Sequence, residues 1–107
     1  MSKLKKELQD ILDGNQELKK DSGKLRMDLI PTEVLEELAK VLTFGLAKGY
    51  KEDSWKLVET NRYEAALLRH YCAYKKGEKV DPESNISHLT HLLCNAAFLV
   101  WKDKNKA

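Results

Sequence analysis

From Ser84 to Trp101 the chain runs SNISHLTHLLCNAAFLVW, a stretch with no formally charged residue in a protein where 34% of residues are charged. A segment so bare of Lys, Arg, Asp and Glu belongs inside something. It is nominally long enough to span a bilayer, but its Ser, Asn, Thr and His residues and its two-sided pattern argue against that. Wound at about 100° per residue, Ile86, Leu89, Leu92, Leu93, Ala96, Ala97 and Val100 share one broad arc, while Ser84, His88, His91 and Asn95 fall on a narrow stripe on the other side. The spacing predicts a helix with a buried apolar face and an opposite face of imidazoles and an amide. Such groups donate and accept hydrogen bonds without bringing a fixed charge. Two readings of that stripe stay open: polar groups satisfied within the fold, or a ligand surface.

The chain has 107 residues, enough for one domain with a modest core. Its net charge of +2 is spread over mixed signs, which is not the footprint of a protein that binds DNA or RNA polymers. The N-terminus MSKLKKELQD lacks the apolar centre of a signal peptide, so a cytoplasmic location is expected. Cys72 and Cys94 each sit in an apolar helical pattern without CxxC spacing and read as buried free thiols of a reducing compartment.

Three further helices precede the uncharged run. Residues 2–13 carry a thin stripe of Leu4, Leu8, Ile11 and Leu12, closed by Gly14 and Asn15, and suit the edge of a domain or a second copy of the chain. Residues 14–31 have no helical period. They hold a turn signal at Asp21-Ser22-Gly23 among Lys19, Lys20, Lys24 and Arg26, which reads either as a solvated loop or as a phosphate contact. Residues 32–47 repeat Val34, Leu35, Leu38, Val41, Leu42 and Leu46 at three and four, a stripe expected to be buried. Glu33, Glu36 and Glu37 sit in the first turns. Gly45 inside that helix marks a close approach of another group. Residues 48–60 read as a loop bearing Trp55, either a lid on the core or a flat surface for a base. The third helix spans 61–76, with Gly77 at its end and Arg69-His70 interrupting its apolar run. An Arg so placed calls for a carboxylate or a phosphate partner. GEKVDPE at 77–83 reads as a tight acidic turn, after which Asp81 or Ser84 caps the last helix. Residues 102–107 read as a charged, fraying tail. The expected architecture is all-α, a small bundle of about four helices. It comprises an N-terminal helix at 1–15, a helical nucleotide-binding domain at 16–101 and the tail at 102–107. Its apolar surface exceeds what three short helices can share, which points to a homo-oligomer.

One ordered set of residues resembles a phage family. It runs from Asp21, Gly23, Lys24, Arg26, Asp28, Leu29, Ile30 and Pro31 through Gly45, Lys48, Tyr50 and Trp55 to Arg69-His70. It closes with Gly77-Glu78, Asp81-Pro82-Glu83-Ser84, His88, His91 and Asn95. The set is similar to the small N-terminal domain of dATP/dGTP diphosphohydrolase and covers roughly residues 17–101. The family usually has Gly where this chain has Asn85. The resemblance implies a phage or prophage origin, hence the cytoplasm of a bacterial host, an all-α fold and a purine nucleotide ligand.

Cleavage would require carboxylates to hold Mg²⁺ against the phosphates. Glu33 and Glu36 supply one ExxE motif, but the only ExxD that could join it, Glu78 to Asp81, lies in a turn. A histidine-rich metal centre from His70, Asp81, His88 and His91 lacks the HD dipeptide. Cations and neutral donors dominate instead, and these bind anions better than they activate water. These groups therefore read first as those of a protein that binds a nucleotide without cleaving it and without a cofactor, and the phage origin implied by the resemblance points to sequestration of a defence-signalling cyclic nucleotide or cyclic ADP-ribose-type messenger. Lys24, Arg26 and Arg69 would hold phosphates, with His70 beside them. His88 and His91 would bind phosphate or ribose, Asn95 a base edge or ribose, and Trp55 would stack on the base. The alternative is a Mg²⁺-dependent dATP/dGTP diphosphohydrolase with Glu33, Glu36, Glu37 and Asp81 on the metal.

Overall fold

The computed structural model describes residues 2–13 and 23–106, which fall into two compact units, Met1–Pro31 and Thr32–Ala107. The first unit holds helix α1 (Ser2–Asp13), with Leu4 and Leu8 exposed, and a 3-10 turn at Met27–Leu29. The expectations for Gly14, Asn15, Lys19, Lys20, Asp21 and Ser22 lie outside the described residues. The second unit runs α2 (Thr32–Ala47), a 3-10 turn at Ser54–Leu57, α3 (Thr60–Lys75), a hairpin of β1 (Val80–Asp81) and β2 (Ile86–Ser87), and α4 (His88–Lys104). Four helices are present as expected, joined by a short antiparallel hairpin that the sequence pattern did not reveal.

Glycine ends both α2 and α3 in the same way. Gly49 and Gly77 adopt left-handed φ of 98° and 101°. The next residues close the helices: Tyr50 N–H donates to the Gly45 carbonyl and Glu78 N–H to the Ala73 carbonyl. This is the Schellman closure that a left-handed residue allows. The group that approaches Gly45 is the Tyr50 ring, 3.5 Å from where a Cβ would stand.

The hairpin changes where the last helix begins. Val80 pairs with Ser87 and Asp81 with Ile86, and Asn85 N–H closes the loop on the Asp81 carbonyl at 2.8 Å. Asn85 sits at φ 59°, a conformation that Asn tolerates and Gly adopts without strain, so Asn can stand where the family usually has Gly. Neither Asp81 nor Ser84 caps the helix. Ser87 does, its hydroxyl accepting from Leu89 N–H at 3.1 Å. At the other end α4 stays helical through Lys102 to Lys104, inside the segment expected to fray.

α4 is the centre of the unit, packed along α3 and, less extensively, along α2. Its most buried side is the polar one, as the reading of groups satisfied within the fold had it, while the apolar arc expected to be buried is only partly covered. His88, Thr90, His91, Cys94 and Asn95 are buried, and Cys94 at 1% exposure is the one fully buried apolar side chain among the described residues. Leu89 and Val100, from the arc expected to be buried, are 46% and 59% exposed. The α2 stripe is also largely uncovered: Val34, Leu35, Leu42 and Leu46 are exposed, and only Leu38 and Val41 are half-buried. Cys72, expected to be buried, is exposed, and both thiols are free.

The C-terminal half of α4 carries an aromatic cluster. Trp55 stacks on Phe98 with centroids 4.5 Å apart, meets Trp101 edge-on at 5.1 Å, and accepts at its carbonyl a 2.7 Å hydrogen bond from Tyr63 Oη. Lys102 Nζ adds a bond to the Lys56 carbonyl at 2.9 Å. These contacts fasten the connection between α2 and α3 onto α4.

Candidate functional site: a histidine cluster between α3, the hairpin and α4

All three histidines of the chain meet at the N-terminal half of α4. His70 comes from α3, and His88 and His91 lie one turn apart on α4, which the hairpin brings up to α3. The His70 and His91 rings stack, 4.5 Å between centroids and 6° from parallel. His70 Nδ1 lies 2.8 Å from His88 Nδ1, and His88 Nε2 lies 2.6 Å from Glu78 Oε1. On the other side His91 Nε2 is 2.6 Å from Ser84 Oγ, whose hydroxyl donates to Asp81 Oδ2 at 2.8 Å.

The network assigns the ring protons. A carboxylate only accepts, so His88 carries its proton on Nε2 and gives it to Glu78. Its Nδ1 then accepts, and His70 donates from Nδ1. Ser84 has one hydroxyl proton and spends it on Asp81, so His91 donates from Nε2 into Ser84 Oγ. Two lone pairs are left: Nε2 of His70 and Nδ1 of His91. No side-chain nitrogen or oxygen among the described residues is both fully buried and without a partner, so neither of these two atoms is fully enclosed.

Burial holds the pKa of His70 below its ordinary value, and the neighbouring His91 and His88 push it the same way. Burial also lowers His91, against the opposing pull of Asp81. For Asp81, burial alone would raise the carboxyl, but the hydroxyl and amide of Ser84 and the imidazole of His91 outweigh it and the pKa is lowered. His70 and His91 are thus held towards the neutral imidazole, beside an ionised Asp81 carboxylate.

The other residues singled out by sequence are dispersed. Trp55 belongs to the aromatic cluster, its face on Phe98, and is a packing residue rather than a free stacking surface. Asn95 is buried and its Nδ2 donates to the His91 carbonyl one turn back. Arg26 makes a bidentate pair with Asp28 at 2.9 and 2.8 Å, within the first unit, and Lys24 is exposed there. Arg69 has neither of the expected fixed partners. It makes no hydrogen bond or ion pair among the described residues, and with Lys76, Cys72 and Glu78 it lines an open groove of about 630 Å³. One residue on, His70 lies about 100° around the helix and turns to α4.

The proposed metal carboxylates are not gathered. Glu33 and Glu36 are exposed, Glu37 is paired with Lys40 and accepts from Thr90 Oγ1 at 2.9 Å, and Asp81 is engaged with Ser84 and His91. Among the described residues no three His, Cys, Asp or Glu side chains are placed to hold a metal ion. The stacked rings explain the histidine side of this. A ligating nitrogen aims its lone pair in the ring plane, and two nearly parallel planes share no point for an ion.

Sequence reasoning weighed Glu78 only as half of an ExxD metal motif and placed Ser84 on the helix or at its cap. Their signal was present in the Gly77-Glu78 and Asp81-Pro82-Glu83-Ser84 run, which holds Glu78 just before β1 and Ser84 of the hairpin loop, the two residues that fix the imidazoles.

A cluster that pairs neutral imidazoles with carboxylates is of the kind found in hydrolytic and proton-transfer proteins. The chain belongs to the family described as "dATP/dGTP diphosphohydrolase, N-terminal", which it matches over residues 14–107. It is 30% identical over 89 residues to a protein of Salmonella phage PMBT28 named "dATP/dGTP diphosphohydrolase". That alignment covers 83% of this chain and 30% of the phage protein, so the chain spans less than a third of its relative's length. No solved structure matches the chain. These relationships overturn the expectation of a protein that sequesters a signalling nucleotide without cleaving it: both the family and the relative carry the name of a hydrolase. No helix among the described residues is long and apolar enough to cross a membrane.

Proposed function

We propose that this chain is a domain of a purine deoxynucleoside triphosphate diphosphohydrolase, acting on dATP or dGTP to give the monophosphate and pyrophosphate. The observation that carries the reading is the cluster of three imidazoles fixed by Glu78 and Ser84, which leaves one ring nitrogen each on His70 and His91 without a hydrogen-bond partner among the described residues. Its support is the family and the phage relative of that name. The groove beside Glu78 is within the size range of small-molecule sites, and Arg69 and Lys76 give it two cations for a polyphosphate. The reaction would take place where the nucleotides are, in the cytoplasm of an infected bacterium.

The chain works as a homo-oligomer in this reading. The exposed Leu89 and Val100 and the half-buried Leu93 and Ala96 follow the alternating four- and three-residue spacing of a helix-packing seam, and the exposed Leu35, Ala39, Leu42 and Leu46 of α2 repeat it.

The test is incubation of the purified chain with each of the four dNTPs and Mg²⁺, with chromatography of the products. Conversion of dATP and dGTP to dNMP and pyrophosphate is expected. No release from either purine nucleotide, or equal rates with dCTP and dTTP, would reject the reading.

A further inference from the structure

We infer that the groove along α3 is a polyphosphate subsite, in which Arg69 and Lys76 hold the phosphates of a nucleoside triphosphate and no group reads the base. The inference rests on the diphosphohydrolase reading for its ligand and names the part of that ligand the groove takes.

Arg69 lies on α3 and Lys76 is the residue that ends it, still in right-handed helical geometry. Seven residues are close to two full turns, so the two cations share one face of the helix, about 10 Å apart along its axis. Between them stand Cys72 and Ala73, small side chains that leave open the groove of about 630 Å³. Neither cationic side chain has a hydrogen bond or ion pair among the described residues. A single phosphate can reach one of the two. A chain of phosphates laid over Cys72 and Ala73 can reach both.

The two contacts are unequal. The guanidinium offers a planar fork that matches two phosphate oxygens, whereas the ammonium is a point charge. The Glu78 carboxylate, which also lines the groove, and the carbonyl end of α3 oppose an anion beside Lys76. The phosphates are therefore drawn towards Arg69. None of the lining side chains is aromatic, and the face of Trp55 is covered by Phe98, so a base finds no stacking surface here. Glu78, the one side-chain acceptor of the groove, already holds His88 with Oε1. Selection of a purine then falls to groups outside the groove.

Cys72 is exposed on the groove floor, so its alkylation by neutral iodoacetamide reports occupancy without turnover, while buried Cys94 does not react in the folded protein. The test measures that rate with Mg²⁺ removed by chelation and ionic strength held constant. Inorganic tripolyphosphate, dGTP and dCTP should each slow the labelling of Cys72, with half-protection at similar concentrations. Orthophosphate and dGMP should need at least about 10-fold more, since each loses a charge-assisted contact. Arg69→Ala should raise the half-protecting concentration of tripolyphosphate at least about 10-fold, and Lys76→Ala by less. Both residues are exposed, so the helical circular dichroism signal should be unchanged in either variant. Labelling that tripolyphosphate does not slow, equal protection by orthophosphate, protection by dGTP but not dCTP, or an Arg69→Ala protein protected like the wild type would each overturn the inference. Hydrolysis of dATP and dGTP by the same preparation would leave the diphosphohydrolase reading standing in all four cases. Protection as expected in a protein that hydrolyses no dNTP would reject that reading and keep the groove as a polyphosphate site.

Discussion

The two faces of α4 are made of opposite materials and meet opposite fates. One face carries His88, His91 and Asn95 and is buried with Cys94. The other carries Leu89, Leu93, Ala96 and Val100 and stays open to half-open. Elementary hydrophobicity would exchange them. The polar face is tolerable inside because its buried polar atoms have partners, from Glu78, Ser84, His70 and its own backbone. Such a face confers geometric definition rather than burial energy, since each neutral hydrogen bond contributes only about 1 kcal/mol net. The apolar face has the complementary property: it can contribute burial energy only when something covers it. One helix thus holds a defined chemical centre on one side and an unmet demand for a partner on the other.

Four experiments would break or sharpen that contrast. The largest effect is expected on the polar face. His70→Ala should reduce dATP turnover by about 100-fold or more, with the helical circular dichroism signal retained. Near-normal turnover would make the cluster purely structural. On the apolar face, Leu89→Glu with Val100→Glu should shift the mass measured by light scattering from oligomer to monomer. A wild type already monomeric at micromolar concentration would show that this stripe is not a seam between copies.

Cys94→Ala, which opens a small void under the polar face, should cost about 1–2 kcal/mol in urea unfolding. The same site can be read chemically. Burial pushes the Cys94 thiol up to about 12, so an alkylating reagent should label exposed Cys72 at once and Cys94 only on unfolding. The smallest effect belongs to the imidazoles as a pH sensor. His70 and His91 have folded pKa values below 6.5, so the unfolded chain binds more protons as pH falls beneath that value. Their contribution to stability is complete above about pH 6.5 and is lost as pH falls through the lowered values. The melting temperature should therefore drop on acidification in that window. A His70→Gln, His91→Gln protein should show a shallower slope.

The positions of α1, α2 and α3 were legible from period and punctuation, to within a residue: Gly49 and Gly77 close α2 and α3 where left-handed residues are needed, and three-and-four spacing marks the lengths. Those signals are local, and local signals survive without knowledge of the fold. The polar stripe was legible too, and Ser84 does join His91, although from the hairpin loop and not from the helix. The hairpin was not legible. Ile86-Ser87 is too short for period to separate a strand from a helix start, and only its pairing with Val80-Asp81 decides it. Trp55, assigned to a base from sequence with a lid on the core as the other reading, has its face taken by Phe98.

What the sequence by itself determined is where α1, α2 and α3 lie and that two imidazoles, an amide and a serine share one uncharged region. Which side of α4 is inside was decided only by tertiary structure. Periodicity reports that a helix has two faces, but burial depends on what stands opposite. Here α3 and the hairpin present His70, Glu78 and Asp81, and a face that finds hydrogen-bond partners can be buried where an apolar one has no surface to meet.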